Sequence, residues 1–159
     1  MKGLIRRSAL LFAGLLAVAA VPAAAAEGLT AHHAWVREAP PGMRMLAGYV
    51  TLENKTDRAI KITGASSPAF GSVELHRSEV RNGVAHMIKQ DHVTIPANGK
   101  FSFEPGGYHL MLMQPKHALK AGDSVKMTLR LNDGRTLSFK MPVRKAGAGE
   151  GGMHMHMNH

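Results

Sequence analysis

The stretch Val125-Lys126-Met127-Thr128-Leu129-Arg130-Leu131 alternates apolar and polar residues with a period of two. Only an extended strand sends successive side chains to opposite faces, so this segment can bury its apolar set only as part of a sheet. After Asn132-Asp133-Gly134 the alternation resumes, with Leu137, Phe139, Met141 and Val143 set against Ser138 and Lys140. The turn residues between the two runs predict a hairpin. Further turn signals occur at Pro40-Pro41-Gly42, Asn82-Gly83, Pro96-Ala97-Asn98-Gly99 and Pro105-Gly106-Gly107. Short strands punctuated this often predict an all-β domain, a sandwich or Greek-key barrel, with no helix after the N-terminal segment.

That N-terminal segment is of a different kind. Lys2, Arg6 and Arg7 precede a mostly apolar stretch from Ala9 to Val21, followed by Pro22 and four alanines ending at Ala26. A basic start, an apolar middle and a small-residue end form a secretory signal, with cleavage expected after Ala26. The apolar stretch is shorter than the ~20 residues a spanning helix needs, so no membrane span is expected in the mature chain. Residues 27–145 are expected to form one domain. The Gly- and Ala-rich run that starts at Ala146 is expected to be a linker to the last residues, so that 146–159 form a tail.

The formal charge of +9 falls to +6 once Lys2, Arg6 and Arg7 are removed. The remaining basic residues are scattered singly, without a stripe or a nucleic-acid motif, so a solvated surface is expected and no nucleic-acid partner. The chain has no cysteine, 11 methionines and 10 histidines. Disulfides, thiolate metal sites and a lipid-modified cysteine are therefore excluded, and any soft ligand must be an imidazole or a thioether. A blue-copper electron-transfer site needs a cysteine and is excluded with them.

On Tyr108-His109-Leu110-Met111-Leu112-Met113, alternation puts Leu110 and Leu112 on one face and His109, Met111 and Met113 on the other. Taken alone, packing is the commoner fate of such methionines. A second piece lies around Asn82-Gly83. If these two residues form a hairpin turn, Arg81 faces Val84 and His76 faces Lys89. Met87 is then a diagonal neighbour of His76 on one face, while Val73, Leu75, Val84, Ile88 and with them His86 turn towards the core. His86 is accordingly expected to be a core or satisfied histidine rather than a ligand, and His32, His33, His92 and His117 surface or packing residues. Two imidazoles and two thioethers make a neutral, soft set suited to Cu(I).

The spacing His76-x10-Met87-x21-His109-x-Met111 and the segment Pro105 to Met113 resemble the PCuAC-type periplasmic copper chaperones, from about Ala34 to Val143. The resemblance implies a cupredoxin-like β-barrel without a cupredoxin's cysteine, binding Cu(I) through His76, Met87, His109 and Met111. It also implies a periplasmic location and copper delivery for cytochrome c oxidase assembly, to the subunit II copper domain or alongside a Sco-type protein. Some members carry Met directly after the first ligand histidine, where this chain has Arg77. That departure leaves the four-residue motif whole. Copper sequestration under stress is the alternative function.

The last residues, Met153, His154, Met155, His156, Met157, Asn158 and His159, concentrate imidazoles and thioethers. They are expected to form a weaker second copper site, with the imidazoles taking Cu(II). No Ser/His/Asp order, paired-carboxylate cleft or phosphate-binding glycine loop is legible, so the chain is expected not to be an enzyme.

Overall fold

A computed structural model describes residues 25–145 and 147; the signal-like segment up to residue 24 and the Met/His tail lie outside the described residues. Ten strands follow one another: β1 (Leu29–Arg37), β2 (Met45–Asn54), β3 (Ile60–Ser66), β4 (Phe70–Arg81), β5 (Val84–Lys89), β6 (Val93–Ile95), β7 (Lys100–Phe103), β8 (Tyr108–Pro115), β9 (Ser124–Leu131) and β10 (Thr136–Arg144). As the alternation requires, no helix occurs among the described residues.

Seven of these strands run β4-β8-β2-β1-β10-β9-β3 and close into a barrel where Ala65 of β3 meets Val73 of β4. Closure leaves no open edge in this wall, the usual hazard of an antiparallel sheet. The other three extend the wall: β5 pairs with β4, β6 pairs with β3 and sends Val93 and Ile95 into the core, and β7 pairs with β2 beyond β8 and buries Phe103. The expected β9–β10 hairpin forms, with Met127 opposite Phe139 and Val125 opposite Met141. Val125, Met127, Leu129 and Leu131 are buried while Lys126 and Arg130 are exposed.

The barrel interior is filled by Val36, Val50, Leu52, Leu110, Leu112, Met127, Leu129 and Met141, among others. It is tight at Gly48, where an added Cβ would sit 3.2 Å from Met141 and 3.4 Å from Leu110. In β1 the register shifts between His32 and Trp35, with His33 at φ 53°. This bulge swaps the two faces. Leu29 points inward before it and Val36 after it, so Trp35 is delivered to the outer wall, where it stacks on Tyr49 at 4.8 Å between ring centroids.

The β4–β5 hairpin has the expected register. Asn82 and Gly83 both have positive φ, the signature of the two-residue turn, and Arg81 faces Val84, Ser78 faces Met87 and His76 faces Lys89. One expectation about its faces fails. Leu75 is buried and Val73 and Ile88 are partly so, but Val84 and His86 are exposed. The reason is where the wall stops: β8 begins at Tyr108, opposite Arg77, so the hairpin beyond Arg77 overshoots the barrel and neither of its faces meets a core.

Candidate metal centre

The β4–β8 pairing places Leu75 opposite Leu110 inside the barrel and His76 opposite His109 outside it. Their rings lie 5.8 Å apart between centroids. Met111, two residues along β8, shares the outer face, as alternation requires. Met87 reaches the same place from β5: together with His109 and Met111 it lines one concave pocket, whose far wall is Met43, Met45 and Tyr49. Met87, His109 and Met111 thus share one pocket on the outer wall of the barrel, and His76 stands beside His109 without lining that pocket. They differ in cover, since His109 is 4% exposed and Met111 8%, whereas Met87 is 61% exposed.

Both histidines are held by one nitrogen and left open at the other. Nε2 of His76 lies 2.9 Å from Oε2 of Glu74, so the ring donates its proton there. Nδ1 of His109 donates to the Gly107 carbonyl at 3.4 Å, a long bond from the loop that starts β8. The remaining nitrogens, Nδ1 of His76 and Nε2 of His109, are buried and find no hydrogen-bond partner among the described residues. A buried polar atom without a partner is costly, and a neutral imidazole nitrogen with a free lone pair and its other nitrogen hydrogen-bonded is the arrangement of a metal ligand.

Electrostatics favour that state at His109. Burial pushes the pKa of His109 below its ordinary value, which favours the neutral ring. The hydrogen bonds from His76 and then Lys89 hold the Glu74 carboxyl below the usual carboxylate range. Lys89 meets the other oxygen of Glu74 at 2.7 Å. Glu74 is not legible from the sequence, where a carboxylate two residues before His76 on the same strand face reads as surface charge. The roles of Met43 and Met45 in the pocket wall were not legible either, because they depend on the distant β2–β8 pairing.

No group of three His, Cys, Asp or Glu side chains with metal-binding geometry occurs among the described residues. A metal ion held here would need the thioethers as well as the imidazoles, a set that a hard cation would not prefer. His32, His33, His92 and His117 are all on the surface, and His32 bonds Glu53 at 3.1 Å.

Comparison with known proteins agrees with this architecture. The LpqE-like family model matches residues 29–143. The chain is similar to Lxx21020 of Leifsonia xyli subsp. xyli, a protein named as a lipoprotein, at 36% identity over 138 residues, 86% of this chain and 82% of that one. It is also similar to the solution structure of the Cu(I) form of DR1885 from Deinococcus radiodurans, with 37% identity, a TM-score of 0.58 and coverage of 80% of this chain and 81% of that one. The copper-bound PCuAC domain from PmoF2 shares the fold, with a TM-score of 0.63 at 22% identity over 75% of this chain and 94% of that one. The barrel is cupredoxin-like, and the chain belongs to the LpqE-like, or PCuAC, family.

Proposed function

We propose that this protein is a periplasmic Cu(I) metallochaperone, binding the ion through His76, Met87, His109 and Met111. The observation that carries the reading is the pair of buried, unpartnered imidazole nitrogens on two neighbouring histidines, one of which lines a pocket with two thioethers. The Cu(I) form of a relative that is 37% identical supports the choice of metal. The signal-like N-terminus and the lipoprotein name of another relative support export, although this chain has no cysteine to carry a lipid.

Three largely covered ligands and one exposed arm suit a carrier. His109 and Met111 hold the ion in a neutral, partly dry setting, and Met87, on a hairpin that overshoots the barrel, can let go without unfolding anything. Neutral ligands also release Cu(I) to a site richer in thiolates. The recipients we propose are the copper domain of cytochrome c oxidase subunit II and a Sco-type protein. The test is anaerobic titration with Cu(I) against a competing chelator, followed by addition of the apo subunit II domain. One tightly held Cu(I) that moves to the acceptor supports the chaperone, whereas retention with no transfer would favour sequestration instead.

Glu74 has a supporting part in this reading. Replacing it by Ala removes the acceptor that fixes the His76 tautomer, and Cu(I) affinity should fall by about 10–100-fold, the usual cost of a lost outer-shell partner. Glu74→Gln, which keeps an acceptor oxygen, should recover part of that loss in the same competition titration.

We further propose that Met153 to His159 form a second copper site, able to take Cu(II). Strand β10 ends at Arg144, and Val143 lies level with Leu110 across three strand pairings, Val143 to Val36, Val36 to Gly48 and Gly48 to Leu110. Three strand spacings are about 14 Å, and the residues from Lys145 to Met153 can span up to ~28 Å. Truncation after Lys145 should leave the core Cu(I) in place and lower the total copper bound.

A further inference from the structure

Methionine is normally buried, yet Met43 and Met45 are 52% and 50% exposed, and with Met87 they are three of the five large apolar side chains exposed among the described residues. All three line the pocket that has His109 and Met111 in its wall. Pairing fixes how they stand. Met45 lies opposite Met113 and Ala47 opposite Met111, so Met45 is the diagonal neighbour of Met111 on the outer face of the barrel. Met87 stands in the same relation to His76, on the other side of the pocket. Met43 follows the turn at Pro40-Pro41-Gly42, where Gly42 has φ +83° and the Met43 amide donates to the Pro40 carbonyl at 3.2 Å. Its backbone is therefore held while its side chain stays half in water.

We infer that Met43 and Met45 form a thioether transfer site for Cu(I) at the mouth of the pocket, through which the ion enters and leaves the four-residue centre. The inference rests on the Cu(I) reading of that centre. As the ion leaves, the Cu–S bond to Met87 breaks while a Cu–S bond to Met45 forms, and Met43 supplies a further thioether on the solvent side. The bonds to Met111, His76 and His109 then break as the acceptor's donors take their place; copper remains Cu(I) and no proton moves, because every ligand released is a neutral thioether or imidazole. Soft, flexible side chains at a half-exposed rim suit this exchange, since each can swing without disturbing the core.

The test uses the full chain and its Met43→Leu/Met45→Leu variant, since leucine conserves volume at both positions. Bicinchoninate serves first as competitor and then, in stopped flow, as acceptor. The variant should keep its Cu(I) affinity within about threefold and release the ion at least about tenfold more slowly. An unchanged release rate overturns the inference, and so does an affinity loss of tenfold or more, which would make Met45 an equilibrium ligand. Should the variant not fold, methyl-13C methionine spectra of the wild type decide: the Met43 and Met45 methyl signals should shift or broaden with substoichiometric Cu(I), and unmoved signals overturn it. If the wild type itself takes up no Cu(I) in the competition, the failure lies in the copper reading, and both fall together.

Discussion

His109→Ala should lower Cu(I) affinity by more than about a hundredfold, beyond the 10–100-fold typical of an outer-shell loss, while the barrel stays folded. His109 is the most buried of the four residues, its Nε2 has no hydrogen-bond partner, and the residue lines the pocket that Met87 and Met111 share. Without it the centre keeps one imidazole, because the other described histidines are exposed surface residues or, like His86, lie on the exposed part of the hairpin. The side chain is on the outer wall, so its loss opens no void among Leu75, Leu110 and Leu112. Chelator competition reads the affinity and a thermal melt without metal reads the fold; a large fall in melting temperature with affinity intact would reverse both assignments.

Leu112→Ala should destabilise the fold by about 2–5 kcal/mol, the usual cost of truncating a fully buried leucine. Leu112 is wholly buried and stands opposite Leu46 on one side and Val73 on the other, at the seam where β8 joins β2 to β4. The barrel closes at that same Val73, so little slack exists to collapse into the void. Its neighbour makes the contrast. Met111→Leu conserves volume on the outer face and should cost less than about 1.5 kcal/mol, yet remove a thioether and weaken Cu(I) binding. Urea unfolding of the two variants, side by side with copper titration, should show opposite patterns one residue apart.

Those two adjacent residues also show what the sequence made legible. Alternation along β8 separates Leu110 and Leu112 from His109 and Met111 without any tertiary knowledge, because side-chain direction is a local property of a strand. The register of β4 with β5 was likewise local, set by Asn82-Gly83. The meeting of His76 with His109 was not. It depends on a pairing between strands far apart in the chain, which the spacing motif and its family resemblance supplied and alternation could not.

Where alternation was pressed further it failed. It assigns Val84 and His86 to the inner face of a hairpin, but cannot say that the partner wall ends at Tyr108, opposite Arg77. The bulge at His33, which turns Trp35 outward, was hidden for a related reason, since one extra residue in a strand leaves no turn signal. Glu74 escaped because a carboxylate near a ligand reads as surface charge until its bond to His76 is seen.

The most direct test is copper X-ray absorption on the protein loaded with one equivalent of Cu(I), measured on the full chain and on a truncation after Lys145. Two imidazole nitrogens and two thioether sulfurs around a single copper, the same with and without the tail, are predicted. A copper shell without sulfur, or loss of the ion on truncation, would contradict the account and leave His76, Met87, His109 and Met111 as outer-wall packing.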